Sequence, residues 1–66
     1  MGLSETMKSR RKTFGLSQQD LAEMSGVSLA TIKDIERGKG NPSLNTVQKI
    51  LDILGMEIIY EVRQTV

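Results

Sequence analysis

The sequence predicts an all-α fold: a compact bundle of four to five short helices, followed by a C-terminal β-strand for dimerisation. Three observations carry this expectation. Apolar residues recur at helical spacing in short segments, each ended by a glycine. Ser17, Ser28 and Ser43 stand where helix N-caps are needed. Beyond Gly55 the apolar period shortens to two residues.

The first helix is expected from about Leu3 to Thr13, with Leu3, Met7 and Phe14 near one stripe and Gly15 as its stop. The second runs from about Gln18 to Met24. Ser17 caps it, Asp20 fits the acidic member of a capping box, and Leu16 and Leu21 flank the cap as a hydrophobic staple. The third runs from about Leu29 to Arg37, capped by Ser28, with Ile32 and Ile35 inward and Gly38 as its stop. The fourth runs from about Leu44 to Leu54 after Pro42-Ser43, with Leu44, Val47, Ile50, Leu51 and Leu54 on one face. In the tail, Met56, Ile58, Tyr60 and Val62 alternate with Glu57, Ile59, Glu61 and Arg63. A lone strand exposes unpaired amides and carbonyls, and an antiparallel pair across a two-fold axis would satisfy them. Ile58, Ile59, Tyr60 and Val62 are therefore the expected dimerisation residues; a frayed tail is the other reading. The domain division is a helical unit at 1–55 and a dimerisation strand at 56–66.

Composition bounds the chemistry. The chain has 66 residues and no Cys or His. A single domain of this size buries only roughly 60% of its unfolded surface. Without disulfides or a Cys/His metal site, a partner subunit is the remaining stabilising device. No metal ligand set, phosphate loop or nucleophile–base pair is legible, so the expectation is a protein that is not an enzyme and uses no cofactor. No apolar run nears the ~20 residues of a membrane span, and Met1 to Phe14 holds no signal-peptide core. The expected setting is the cytoplasm.

The net charge is only +1, but its distribution is uneven. Lys8, Arg10, Arg11 and Lys12 against Glu5 give residues 1–13 a net of +3, while residues 14–40 and 41–66 are each at −1. Concentrated positive charge attracts phosphate more than the total suggests. A solvated basic helix face would look the same.

The informative stretch is Leu16 to Gly40. Two brief helices are joined by Ser25-Gly26-Val27, with Leu21, Ala22, Val27, Ile32 and Ile35 apolar where they must touch. The run LSQQDLAEMSGVSLATIKDIERGKGNPSLNTVQKILDILG resembles the Cro and phage-repressor (xenobiotic-response-element type, lambda-repressor-like) helix-turn-helix family over about residues 3–55. Its marks are the Gln-rich start of the second helix, the Ala22-to-Gly26 spacing, Ile35-Glu-Arg-Gly-Lys39 and Asn41-Pro-Ser43. The alternating tail resembles that of HipB-like antitoxins, which pair with HipA-type kinase toxins.

The resemblance implies that the third helix enters the major groove and reads base edges. The DNA-binding residues so implied are Gln18, Gln19, Ser28, Leu29, Ala30, Thr31, Lys33, Asp34, Arg37 and Lys39. Leu29, Ala30 and the Thr31 methyl suit thymine methyl groups, while Thr31 and Lys33 suit guanine or phosphate. Leu29 and Ala30 stand where the family often has Gln or Arg, so DNA shape is expected to carry part of the specificity. Partial burial is the other reading of Leu29. Arg37, Lys39 and the Gly40-Asn41 backbone suit phosphate. Lys8, Arg10 and Lys12 are either further phosphate contacts or solubilising charge. Arg11 and Glu36 match a family pair that forms a structural ion pair holding the recognition helix.

The functional expectation is a homodimeric, sequence-specific DNA-binding repressor on a double-stranded operator, in a specialised form the antitoxin of a toxin–antitoxin pair. The alternative is a protein-interaction module whose helix-turn-helix no longer binds DNA.

Overall fold

The computed structural model describes residues 2–62. Among them four α-helices form: α1 (Leu3–Thr13), α2 (Gln18–Ser25), α3 (Leu29–Glu36) and α4 (Leu44–Ile53). Local chemistry sets the starts of three of them. The Ser17 hydroxyl accepts from the Asp20 amide at 2.9 Å, and the Asp20 carboxylate accepts from the Ser17 amide at 2.9 Å, a complete capping box. Ser28 and Ser43 cap α3 and α4 in the same way, accepting from Thr31 and Thr46. Each such cap is worth about 1 kcal/mol, which matters for helices of eight to eleven residues that are marginal in isolation.

The helices share one core. Met7 of α1, Leu21 of α2, Ile32 of α3, Ile50 of α4 and Leu54 just beyond it are fully buried, with Ala22, Ile35, Val47 and Leu51 around them. Burying one such side chain is worth roughly 1.5–3 kcal/mol. α2 packs on both α3 and α4, and α1 packs on α3. Leu16, Val27 and Leu29 close the core at the ends of α2 and α3, where they are half-buried.

Three apolar positions depart from the stripes read in sequence. Leu3 and Phe14 of the first stripe lie at the surface, and so does Leu44. Leu44 follows the Ser43 cap directly, and the buried face of α4 begins one turn later at Val47. Phe14 lies past the end of α1 and serves instead as a platform. The Arg10 guanidinium sits 4.7 Å above its ring centroid. Arg10 Nε also donates to the Leu54 carbonyl at 3.2 Å, binding an orphan carbonyl at the end of α4. Gly55 lies beneath this contact with φ +69°, and a Cβ there would meet Arg10 Nη2 at 3.4 Å. Arg10 is thus a structural cap joining the ends of α1 and α4.

The expected C-terminal strand is not formed: among the described residues, 56–62 are neither strand nor helix. A strand is defined by a hydrogen-bonded ladder, and among the described residues no strand is present to supply one. The alternation shows in burial only from Met56 to Ile59. Met56 and Ile58 are half-buried against the core, and the Ile58 amide reaches Gln48 Oε1 at 3.5 Å. Ile59, Tyr60 and Val62 face solvent, at 70%, 76% and 100% exposure. Residues 63–66, which complete the tail read in sequence, lie outside the described residues.

Candidate nucleic-acid interface

The helix-turn-helix is built from α2, the turn and α3. At the turn the Gly26 amide donates to the Ala22 carbonyl at 3.0 Å, closing α2 with φ +73°. That left-handed geometry is strained for residues with a Cβ. The Ser25 hydroxyl donates to the Leu21 carbonyl at 2.7 Å and accepts from the Val27 amide at 3.3 Å, which fixes the approach to α3. Ser28 then starts α3 without a spacer.

One face of α3 is anchored through Ile32, Ile35 and Glu36, all buried. The opposite face carries Ala30, Lys33 and Arg37, spaced three and four residues apart and exposed. Shallow grooves flank this stripe. One is lined by Gln18, Ala30, Lys33, Asp34 and Arg37. The other is lined by Thr31, Asp34, Ile35 and the Lys39–Pro42 loop. Asp34 lines both grooves, and Ala30, Lys33 and Arg37 between them are exposed among the described residues.

Glu36 fastens this surface to the rest of the fold. Arg11 grips its carboxylate with two hydrogen bonds, Nε to Oε2 at 2.7 Å and Nη2 to Oε1 at 2.9 Å. A third Arg11 donor reaches the Leu16 carbonyl at 2.8 Å. Gln18 Nε2 donates to Glu36 Oε1 at 3.2 Å, and the Ser4 hydroxyl donates to the Glu36 carbonyl at 2.7 Å. Segments α1, α2 and α3 therefore meet at one carboxylate. Burial pushes the Glu36 carboxyl up, but the hydrogen bonds from Arg11 and Gln18 and the positive charges of Arg11 and Lys8 outweigh it. The net result lies below the usual glutamate value. Hydrogen bonding to Glu36 in turn raises the Arg11 guanidinium above its ordinary value. No buried side-chain nitrogen or oxygen among the described residues lacks a partner.

The residues singled out from sequence divide into two groups. Ala30, Lys33 and Lys39 are exposed on or beside the α3 stripe. Several others already have partners. Ser28 and Thr31 share a hydroxyl–hydroxyl bond of 2.8 Å. Asp34 and Arg37 form an exposed ion pair. Gln18 is half-buried on Glu36, and Gln19 donates to Glu23 at 3.1 Å along α2. Leu29 is half-buried against the core. Sequence reasoning missed the Gln18–Glu36 bond, the Ser4 contact and the Arg10 cap, since each joins residues brought together only by helix packing. Among the described residues no three carboxylates, Cys or His cluster as a metal site, and no helix is long and apolar enough to cross a membrane.

Residues 7–60 match the helix-turn-helix family profile, and the chain belongs to this family of Cro- and phage-repressor-type proteins. An HTH-type transcriptional regulator of Deinococcus deserti is 34% identical over 58 residues, covering 88% of this chain and 45% of the relative. The immunity repressor protein of Bacillus phage phi105 is 36% identical, covering 88% and 40%. An uncharacterized HTH-type transcriptional regulator of Methanothermobacter thermautotrophicus is 39% identical, covering 85% and 81%. The chain thus spans less than half the length of the first two.

Proposed function

We propose that this protein is a sequence-specific DNA-binding transcriptional regulator, a cytoplasmic repressor that acts as a homodimer on double-stranded DNA. The observation that carries this reading is the outward stripe of α3, Ala30–Lys33–Arg37, left uncovered while the opposite face is locked into the core. An uncovered helix of two to three turns fits the major groove of B-DNA. Lys39 and the loop after α3 lie beside the stripe, where a phosphate strand would pass. The first three relatives named above as regulators or repressors support the same reading.

In this reading residues 1–55 are the DNA-binding unit and residues 56–66 the dimerisation segment. The exposed Ile59, Tyr60 and Val62 support a second copy pairing with the tail. Two recognition helices related by that two-fold would then sit roughly 34 Å apart, one per half-site. An antitoxin role with a HipA-type toxin rests on the tail's resemblance alone. Sedimentation equilibrium of the full chain against a chain ending at Gly55 tests the dimer; two monomers would refute it.

Salt titration of duplex binding tests the DNA reading itself. Arg37 and Lys39 from two protomers give a slope of log affinity on log salt near about −4, and Arg37→Ala lowers its magnitude by about 2. Salt-independent binding, or none at low salt, would favour the protein-interaction module.

A further inference from the structure

We infer that each operator half-site is read through one thymine methyl group and a guanine one or two base steps away, by Ala30 and Lys33 respectively. The inference rests on the DNA-binding reading above and adds what this surface selects.

Few side chains on this surface remain available to a base edge. On the outward side of α3, Ser28 and Thr31 hold each other through their hydroxyls, and Asp34 is paired with Arg37. Gln18, on the flank, is tied to Glu36. Ala30 and Lys33 remain, both exposed and lining the same groove. Lys33 has no ion-pair partner among the described residues.

Each has a preferred counterpart in the major groove. A bare methyl cannot hydrogen-bond, and the apolar group that base edges offer there is the thymine C5-methyl. The lysine ammonium only donates, and guanine presents two acceptors, O6 and N7, on one edge. Positions three apart on a helix place their Cβ atoms about 5–6 Å from one another. Successive bases on a strand are separated by about 3.4 Å. The two side chains therefore span one or two steps. Arg37 is the stronger guanine reader by chemistry, but it caps the C-terminal end of α3 and is held by Asp34. Its place suits phosphate better than base edges.

The test uses the full chain and a pool of duplexes with a randomised centre. After selection, the best duplex is rebuilt with deoxyuridine replacing each thymine in turn, which deletes only the methyl group. The expected result is one sensitive thymine per half-site, weakened about fourfold, with the sensitivity lost in Ala30→Ser. Lys33→Ala should relax a guanine preference beside it by about tenfold. Binding indifferent to every thymine methyl, or a guanine preference untouched by Lys33→Ala, would overturn the inference while leaving DNA binding intact. Failure to select any sequence would overturn the DNA-binding reading and this inference with it.

Discussion

Replacing Arg11 with alanine is expected to destabilise the fold by about 3–5 kcal/mol, enough to unfold much of the protein at ambient temperature. The Glu36 side chain is 2% exposed and that of Arg11 12%, so solvent screening is weak at this pair. Without Arg11 the carboxylate keeps, among the described residues, only Gln18 as a side-chain donor. The penalty is the cost of an uncompensated buried charge, larger than the net worth of the pair. At roughly 4–8 °C per kcal/mol for a domain of this size, the thermal midpoint should fall by well over ten degrees. A double change, Arg11→Met with Glu36→Leu, should recover most of the loss.

The acid limb follows from the same pair. The folded Glu36 carboxyl lies below its ordinary 4.5 because the Arg11 and Gln18 hydrogen bonds and nearby positive charge outweigh burial. A depressed carboxyl contributes stability that is present above its unfolded value and lost as pH falls through the folded one. Wild type should therefore weaken below about pH 4.5, and Glu36→Gln should lose part of that dependence. In Arg11→Ala burial prevails, so acid neutralises the stranded carboxylate and the gap to wild type narrows as pH falls. A gap that is constant with pH would contradict the assigned role of Glu36.

Ile32→Ala is the second large effect, expected to cost about 2–5 kcal/mol. Ile32 is fully buried and anchors the middle of α3 in the core. Its truncation leaves a cavity lined by residues from other helices, which cannot collapse without moving α3. The urea midpoint should fall with the slope unchanged. Lys33, the next residue, is exposed. Lys33→Ala should leave stability within about 0.5 kcal/mol and weaken DNA binding instead. If Lys33→Ala destabilises as much as Ile32→Ala, the inward and outward faces of α3 are misassigned.

The contrast between these neighbours shows what was legible before the structure. Helix positions follow from serine caps, glycine stops and apolar spacing, which are local signals. They place all four helices to within about a residue at each end. Ile32 and Ile35 could be set inward, and Lys33 outward, by period alone. Arg11 and Glu36 could be paired only through resemblance, since nothing local relates residues 25 apart. The Arg10 cap on Leu54 spans 44 residues and depends on where α1 and α4 end. Gln18 could be named only as a DNA contact, because its Glu36 partner arrives from another helix. The tail marks a different limit: its period describes which residues could share a strand face, whereas a strand also needs a neighbour to pair with.

The claim that α3 is the DNA-reading face is put to amide shift mapping on the isotope-labelled full chain, titrated with a selected duplex. The claim predicts perturbations concentrated at Ser28–Lys39 and the first turn of α2, with the Met7, Ile50 and Leu54 region unmoved. Perturbations confined to α4 and residues 56–62, with α3 unchanged, would contradict it.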